Sequence, residues 1–304
     1  MLGFGALSTG SGRARRLALS AAAKVNLTLE VLGRRADGYH EIATVMQTVD
    51  LADRLMLEEA EGFELHTVAP GIPTDATNLA LRAAVALHDA AGIDRGVRIR
   101  LDKRIPIAAG LGGGSTDAAA VLVGLNRLWR LRWSLERLDT VAVTLGMDVP
   151  FFLRGGTALG TGRGERLHSV SGPGLALVLV NPGVGASTAE TYGRVTPNMY
   201  TGGEHSRALL AALKSHRTGR IADHLYNGLE AALGPVQQSV VKIRAALLAA
   251  GALGVAMSGS GPTVFGLARS WDHARQLRAR LARVSWSCWA VRTIRGPAIR
   301  LRAL

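Results

Sequence analysis

The chain is predicted to be α+β in class, built as two halves that each mix strands and helices. Three observations predict this. Val25, Leu27, Leu29 and Val31 occupy every second place, the period of a half-buried strand. A glycine-rich run, Pro106 to Ala120, follows one alternating segment (Val97, Ile99, Leu101) and opens an Ala-rich helical one. Beyond a small, flexible stretch, Ser171 to Gly174, strand-like and helix-like segments resume in a second series. The expected organisation is a loose leader (residues 1–16), an N-terminal domain (17–171) and a C-terminal domain (172–304).

Composition bounds the function. The chain has 304 residues, of which 48% are apolar, enough for a sizeable core. Cys288 is the only cysteine, so no internal disulfide can form, and its apolar setting makes it a core residue rather than a nucleophile. No apolar run approaches the roughly 18 residues that a spanning helix needs. The leader is rich in Gly, Ser and Arg, lacks a secretory core, and its Arg13, Arg15 and Arg16 are expected to form a solvated tail. The expected compartment is the cytoplasm. The net charge of +13 favours anionic partners. The excess is spread along the chain without interleaved aromatics, which fits a basic nucleotide enzyme better than a nucleic-acid binder, the rival from another class.

Taken in order, the strand Val25 to Val31 sets Lys24, Asn26 and Thr28 on one face. The turn Gly33 to Gly38 leads through Tyr39-His40-Glu41 into a strand over Ile42 to Leu51. Short strands are expected at Arg54 to Glu58 and Gly62 to Val68, then a helix capped within Asp75 to Asn78 and running to Ala91. The strand Val97 to Leu101 delivers the chain into the glycine run. The next helix should start at Ser115 or Thr116, continue to about Leu131 and bury Val121, Leu122, Leu125, Leu128 and Trp129. Ser134 should cap another, with Leu135, Leu138, Val141, Ala142 and Leu145 on its inner side and Gly146 as its stop. Asp148, flanked by apolar residues just after that stop, is either a local cap or a functional carboxylate.

Gly155 to Glu165 reads as a hairpin. Leu175 to Val180 should be a buried strand, with Thr188 capping a helix that carries Tyr192, and Pro197 to His205 is the least ordered interior segment. Helices are expected at Arg207 to Lys214 and Val236 to Ala250, then strands at Leu253 to Met257 and Thr263 to Ala268 around the turn Ser258 to Pro262. A helix from Asp272 to Arg283 and a strand from Cys288 to Ile294 close the series.

The glycine run carries the chemistry. Gly110, Gly112, Gly113 and Gly114 let backbone approach a ligand, and the first N–H groups of a helix have no internal partner. A polyphosphate satisfies those donors and the positive end of the helix dipole; the alternative is an ordinary turn capped by Ser115. No Lys follows the glycines, and Ser115 stands where a dinucleotide fingerprint has Gly, so neither common nucleotide motif applies.

Lys24-Val-Asn26 with the segment Gly33 to His40, Pro106 to Ser115, and Gly259-Ser-Gly261-Pro262 together resemble the GHMP family of small-molecule kinases (galacto-, homoserine, mevalonate and phosphomevalonate kinases). The segments GRRADGYHE and LGMDVPFFLRGG look like members acting on a cytidylated alcohol. The resemblance spans nearly the whole chain from Ser20 to Ile294. It implies a two-domain GHMP kinase fold, with an N-terminal domain like domain 2 of ribosomal protein S5 and a ferredoxin-like C-terminal domain.

The resemblance also implies ATP and Mg²⁺ as cofactors, a small-molecule alcohol as the other substrate, no nucleic-acid or membrane partner, and a monomer or homodimer. It matches Lys24 and Asp148 to the catalytic pair. Pro106, Ile107, Ala108, Ala109, Gly110, Leu111, Gly112, Gly113, Gly114, Ser115 and Thr116 match the ATP cradle. Asn26, Tyr39, His40, Thr188 and Tyr192 match alcohol contacts, Tyr39 stacking on the base and His40 bonding its polar edge. The metal ligands are left unnamed, with Ser115 a candidate. Ala23 replaces a usual Pro, Ala108 and Ala109 replace glycines, and Gly228 replaces an Asp in Asn227-Gly-Leu-Glu230, to which no role is given.

Overall fold

The computed structural model describes residues 15–282 and 285–303; Arg13 and most of the expected leader lie outside them. The first half comprises β1 (Arg16–Arg34), β2 (His40–Ala60), β3 (Phe63–Thr67), α1 (Leu79–Ala91), β4 (Gly96–Asp102), α2 (Gly113–Leu128), α3 (Leu135–Leu145), α4 (Val149–Arg154), β5 (Thr157–Thr161) and β6 (Arg166–Val170). The second comprises β7 (Ala176–Asn181), α5 (Thr188–Gly193), α6 (Glu204–Lys214), α7 (Thr218–Ala222), β8 (Tyr226–Asn227), α8 (Gln237–Ala249), β9 (Gly254–Met257), β10 (Val264–Ala268), α9 (Trp271–Leu281), β11 (Ser287–Arg292) and β12 (Ile299–Arg302).

β1 and β2 are the spine of an eight-stranded sheet in the order β12-β1-β2-β4-β3. At its other end, β5 pairs with β2, β6 with β5, and β8 with β1. Two segments beyond residue 171 therefore complete the first sheet. The strands expected at Ile42 to Leu51 and Arg54 to Glu58 are one strand, because β1 pairs with it on both sides of residues 49–51. The expected break at Ala52 and Asp53 is paired regularly with Ala22 and Ala21, and the register slips just before it, between Ala22↔Ala52 and Lys24↔Thr48. Arg15 and Arg16 are not a solvated tail. Arg16 opposes Glu58 in the ladder and pairs with it at 2.8 Å, and Arg15 reaches Glu59 at 2.6 Å.

The second sheet, β11-β7-β10-β9, is antiparallel throughout, the strand order of a ferredoxin-like βαββαβ unit. Three cores follow. Helices α1 to α4 pack on one end of the first sheet around Leu57, Leu122, Phe151 and Phe152. Val25, Leu27, Val45, Leu177 and Phe265 join the two sheets. Val178, Ile243, Leu247 and Leu277 seat α8 and α9 on the outer face of the second.

Some local expectations are corrected. α2 starts at Gly113, with left-handed Gly112 as its cap residue, and ends at Leu128, where Arg130 turns left-handed (φ 59). Leu135 is exposed rather than core. Ser187, not Thr188, caps α5 through the N–H of Glu190. The segment Pro197 to His205 is tied down: the Thr201 N–H donates to the carbonyl of Val31, and buried Glu30 accepts from Thr201 Oγ1 and the N–H groups of His205 and Ser206. α7, β8 and β12 are too short or too basic to announce themselves by periodicity.

Candidate active site

The register slip in β1 brings Lys24 beneath the glycine loop, its backbone N–H donating to the carbonyl of Leu111 at 3.0 Å. The Lys24 side chain is only 4% exposed, and its ammonium donates to Asn26 Oδ1 at 2.6 Å. Asn26 is held in turn by Thr44, to which its Nδ2 donates at 2.7 Å. An amine so deeply buried needs such partners, since desolvating it otherwise costs several kcal/mol.

Asp148 comes from the opposite side. α3 stops at Gly146, Pro150 favours an immediate restart as α4, and Asp148 occupies the N-cap position with no side-chain bond to that helix. The local-cap alternative is thus unused. Buried Val149, Phe151 and Phe152 anchor the turn, leaving the carboxylate 34% exposed in the cleft with Oδ2 3.4 Å from Lys24 Nζ.

The loop between them is shaped by backbone. Gly112 (φ 70) caps α2 without any side chain, so the first N–H groups of the helix are left for a ligand, and the Ser115-capped turn is excluded. A Cβ on Gly112 would lie 2.6 Å from the Phe152 ring, and one on Gly110 would lie 1.9 Å from the carbonyl of Ser258. Ala108 adopts φ 50, at a cost of about 1 kcal/mol. The turn Ser258 to Pro262 braces the loop: Ser258 Oγ donates to the carbonyl of Gly110 at 2.9 Å and accepts from the Asn26 N–H at 3.3 Å. Asn227 donates to the carbonyls of Met257 and Gly259, both at 2.9 Å, which gives the unassigned segment Asn227 to Glu230 its role.

The other wall is aromatic. His40 stacks on Tyr192 with ring centroids 5.4 Å apart and meets the edge of Tyr200. Tyr39 is 56% exposed, with the Arg163 guanidinium 5.0 Å from its centroid. Thr188 shares a 2.7 Å hydrogen bond with Ser260. Burial, with Arg34 nearby, lowers His40 from 6.5 and keeps the imidazole neutral; burial and the Asp148 charge push the Tyr192 phenol up.

One cleft of about 1210 Å³ is lined by Lys24, Asn26, Tyr39, His40, Asp148, Thr188, Tyr192 and the loop from Pro106 to Ser115. Thr116 is the exception: fully buried, with its N–H committed to Gly112, it does not line the cleft. Sequence reasoning also missed Arg163, Tyr200, Lys103 and the Ser258–Gly259 brace. For the brace the signal was present in the small-residue turn, but its partner Gly110 is remote in sequence.

The cleft thus brings a glycine loop, a buried amine and a partly exposed carboxylate together. Residues 78–156 match the family model of the GHMP kinases N terminal domain, and residues 209–285 that of the GHMP kinases C terminal. The chain belongs to the GHMP kinase family. Among its relatives, the 4-diphosphocytidyl-2-C-methyl-D-erythritol kinase of Pelotomaculum thermopropionicum is 47% identical over 276 residues, spanning 90% of this chain and 96% of that protein. The enzyme of the same name from Gloeobacter violaceus is 47% identical over 87% of this chain and 89% of its own. A crystal structure of 4-(cytidine 5'-diphospho)-2C-methyl-D-erythritol kinase superposes with a TM-score of 0.79 at 40% identity, covering 91% of this chain and 99% of that one. Homoserine kinase from Cytophaga hutchinsonii shares the fold at a TM-score of 0.74 and 20% identity, over 98% and 100% of the two chains. Among the described residues no helix is long and apolar enough to cross a membrane.

Proposed function

We propose that this chain transfers the γ-phosphoryl group of ATP to the 2-hydroxyl of 4-diphosphocytidyl-2-C-methyl-D-erythritol, a step of the non-mevalonate route to isoprenoid precursors in the cytoplasm. The observation that carries the proposal is the convergence of Lys24 and Asp148, 3.4 Å apart, between the glycine loop and the aromatic wall. The relatives at 40–47% identity supply the choice of alcohol.

The roles follow from the chemistry of the groups. The free N–H groups of Gly113, Gly114 and Ser115 receive phosphate oxygens at the positive end of α2. The Asp148 carboxylate accepts the proton of the attacking hydroxyl. The Lys24 ammonium, oriented by Asn26 and 3.4 Å from the Asp148 carboxylate, offsets negative charge developing on the transferred group. Tyr39 and Tyr192 offer faces to a base, and neutral His40 offers one donor and one acceptor to its edge. Phosphoryl transfer asks chiefly for this alignment and charge stabilisation.

Mg²⁺ fits the donors present. Ser115 offers a hydroxyl and Asp148 a partly exposed carboxylate in the same cleft, and Mg²⁺ takes one or two such ligands with phosphates and water completing its shell. Bound there, it would neutralise phosphate charge. The other group of metal-ligating side chains among the described residues, Glu30, Glu204 and His205, is outside the cleft, and the Glu30 oxygens are already taken by three donors.

Release of ADP measured with purified 4-diphosphocytidyl-2-C-methyl-D-erythritol, homoserine and mevalonate tests the proposal. Turnover confined to the cytidylated alcohol is the expected result; preferential turnover of either of the others overturns it.

A further inference from the structure

The two ends of the glycine loop are joined by a buried ion cluster that the reaction above does not use. Asp53 lies in β2, Lys103 immediately follows β4, and Asp117 lies in α2 just beyond the glycines. Lys103 Nζ donates to Asp53 Oδ2 at 2.5 Å and to Asp117 Oδ2 at 2.6 Å. The other oxygen of Asp53 accepts from the N–H groups of Arg104 at 2.5 Å and Ile105 at 2.8 Å, turning the chain towards Pro106. The three side chains are 0–6% exposed.

Buried ions of this kind do not arise for stability alone, since apolar side chains of the same volume serve a core equally well. Here the cluster holds a cation where a cation is otherwise disfavoured, against the positive end of α2: a Cβ on Gly113 would lie 2.9 Å from Lys103 Nζ. Burial alone would lower the Lys103 ammonium, but Asp117 and Asp53 outweigh it and hold it above its ordinary value. Burial pushes the Asp117 carboxyl up to about 8 against the pull of Lys103, and its Oδ1 is buried without a partner. Asp117 is therefore committed to the cluster through one oxygen only.

We propose that Lys103, Asp53 and Asp117 are positioning residues for the nucleotide, stapling the start of the loop to its end so that the N–H groups at the head of α2 are fixed in place before ATP arrives. Asp53 sets the angle at which the chain leaves β4. Lys103 then reaches across the loop to Asp117, so the segment 104–116 is closed at its base by a single side chain. This staple touches the nucleotide side of the cleft and leaves the alcohol side to Tyr39, His40 and Tyr192. It rests on the kinase reading only in taking ATP as the occupant.

The test compares Asp117→Leu with Asp117→Asn. Leucine removes the staple but leaves Lys103 balanced by Asp53, whereas asparagine keeps an oxygen for Lys103. Binding of a non-hydrolysable ATP analogue is followed by calorimetry, KM for ATP and for the alcohol by ADP release, and folding by thermal melting. Asp117→Leu is expected to weaken the analogue and raise KM for ATP by about tenfold, with KM for the alcohol within about twofold and the melting temperature retained. Asp117→Asn should recover most of that loss. Unchanged analogue affinity in the leucine variant, an equal rise in both KM values, or equal damage from asparagine overturns the proposal. If Asp117→Leu does not fold, Lys103→Met and Asp117→Leu combined with Asp53→Asn remove all three charges while keeping an oxygen for the Arg104 and Ile105 N–H groups, and the same selective loss is required of that variant. Should the kinase reading itself fail, the wild-type protein will not turn over the alcohol, an outcome distinct from the analogue-binding comparison.

Discussion

The two walls of the cleft are made in different ways. The wall proposed for the nucleotide is backbone: Gly110 and Gly112 at positive φ, Ser258 bonded to the Gly110 carbonyl, and a helix end with no side-chain cap. The wall proposed for the alcohol is side chain: Tyr39 more than half exposed, His40 stacked on Tyr192, and Tyr200 at its edge. A wall of backbone can be filled only by something that accepts hydrogen bonds, whatever its detailed shape, and it tolerates no added atoms. A wall of side chains selects by surface and can be retuned one residue at a time. The shared fold of kinases for homoserine and for the cytidylated alcohol accords with that division.

The comparison breaks first at the seam between the walls. Asp148→Asn should lower kcat by about 10²–10⁴-fold, the range for loss of a general base, with the fold retained because its side chain makes no helix-cap bond and Lys24 keeps its bond to Asn26. Near-normal ADP release would remove Asp148 from that role. On the backbone wall, Gly112→Ala sets a Cβ 2.6 Å from the Phe152 ring at φ 70, so either the loop or the ring must shift. KM for ATP should rise by about tenfold or more while KM for the alcohol stays near its wild-type value, and steady-state kinetics with each substrate varied in turn checks this.

On the other wall, Tyr39→Ala should raise KM for the alcohol by roughly 5–100-fold, the worth of one base stacked on an aromatic ring, and leave KM for ATP in place. Equal changes would show that the walls are not separate. The smallest effect is with pH. His40 is held below 6.5 by burial and by Arg34, so it is neutral above that value and gains a proton as the pH falls through its lowered pKa. KM for the alcohol should be flat through neutrality and rise on the acid side. Arg34→Ala, which removes the positive neighbour, should move that rise to higher pH in the same titration.

The walls also differ in how legible they were. Glycines crowded before an Ala-rich helix announce a close-packed loop, and Gly110 and Gly112 are at positive φ where an added Cβ would clash. The alternation of Val25 to Val31 likewise set Lys24 and Asn26 on one face, and they meet at 2.6 Å. The alcohol wall needed the family resemblance, since nothing in the letters brings Tyr192 of α5 to His40 of β2. Tertiary pairing overrode local signals elsewhere: β2 continues through Ala52 and Asp53 because Ala22 and Ala21 of β1 pair with them, and β12 is a strand only because β1 offers it an edge. Lys103 and Asp117 read as ordinary charges, and only the fold brings them onto Asp53.

The account rests on an amine and a carboxylate working as one unit. A double-mutant cycle on kcat for ADP release, with Lys24→Met, Asp148→Asn and both together, measures this directly. Loss in the double variant no greater than in the worse single one is the predicted result. Losses that multiply, as for two independent groups, would contradict it.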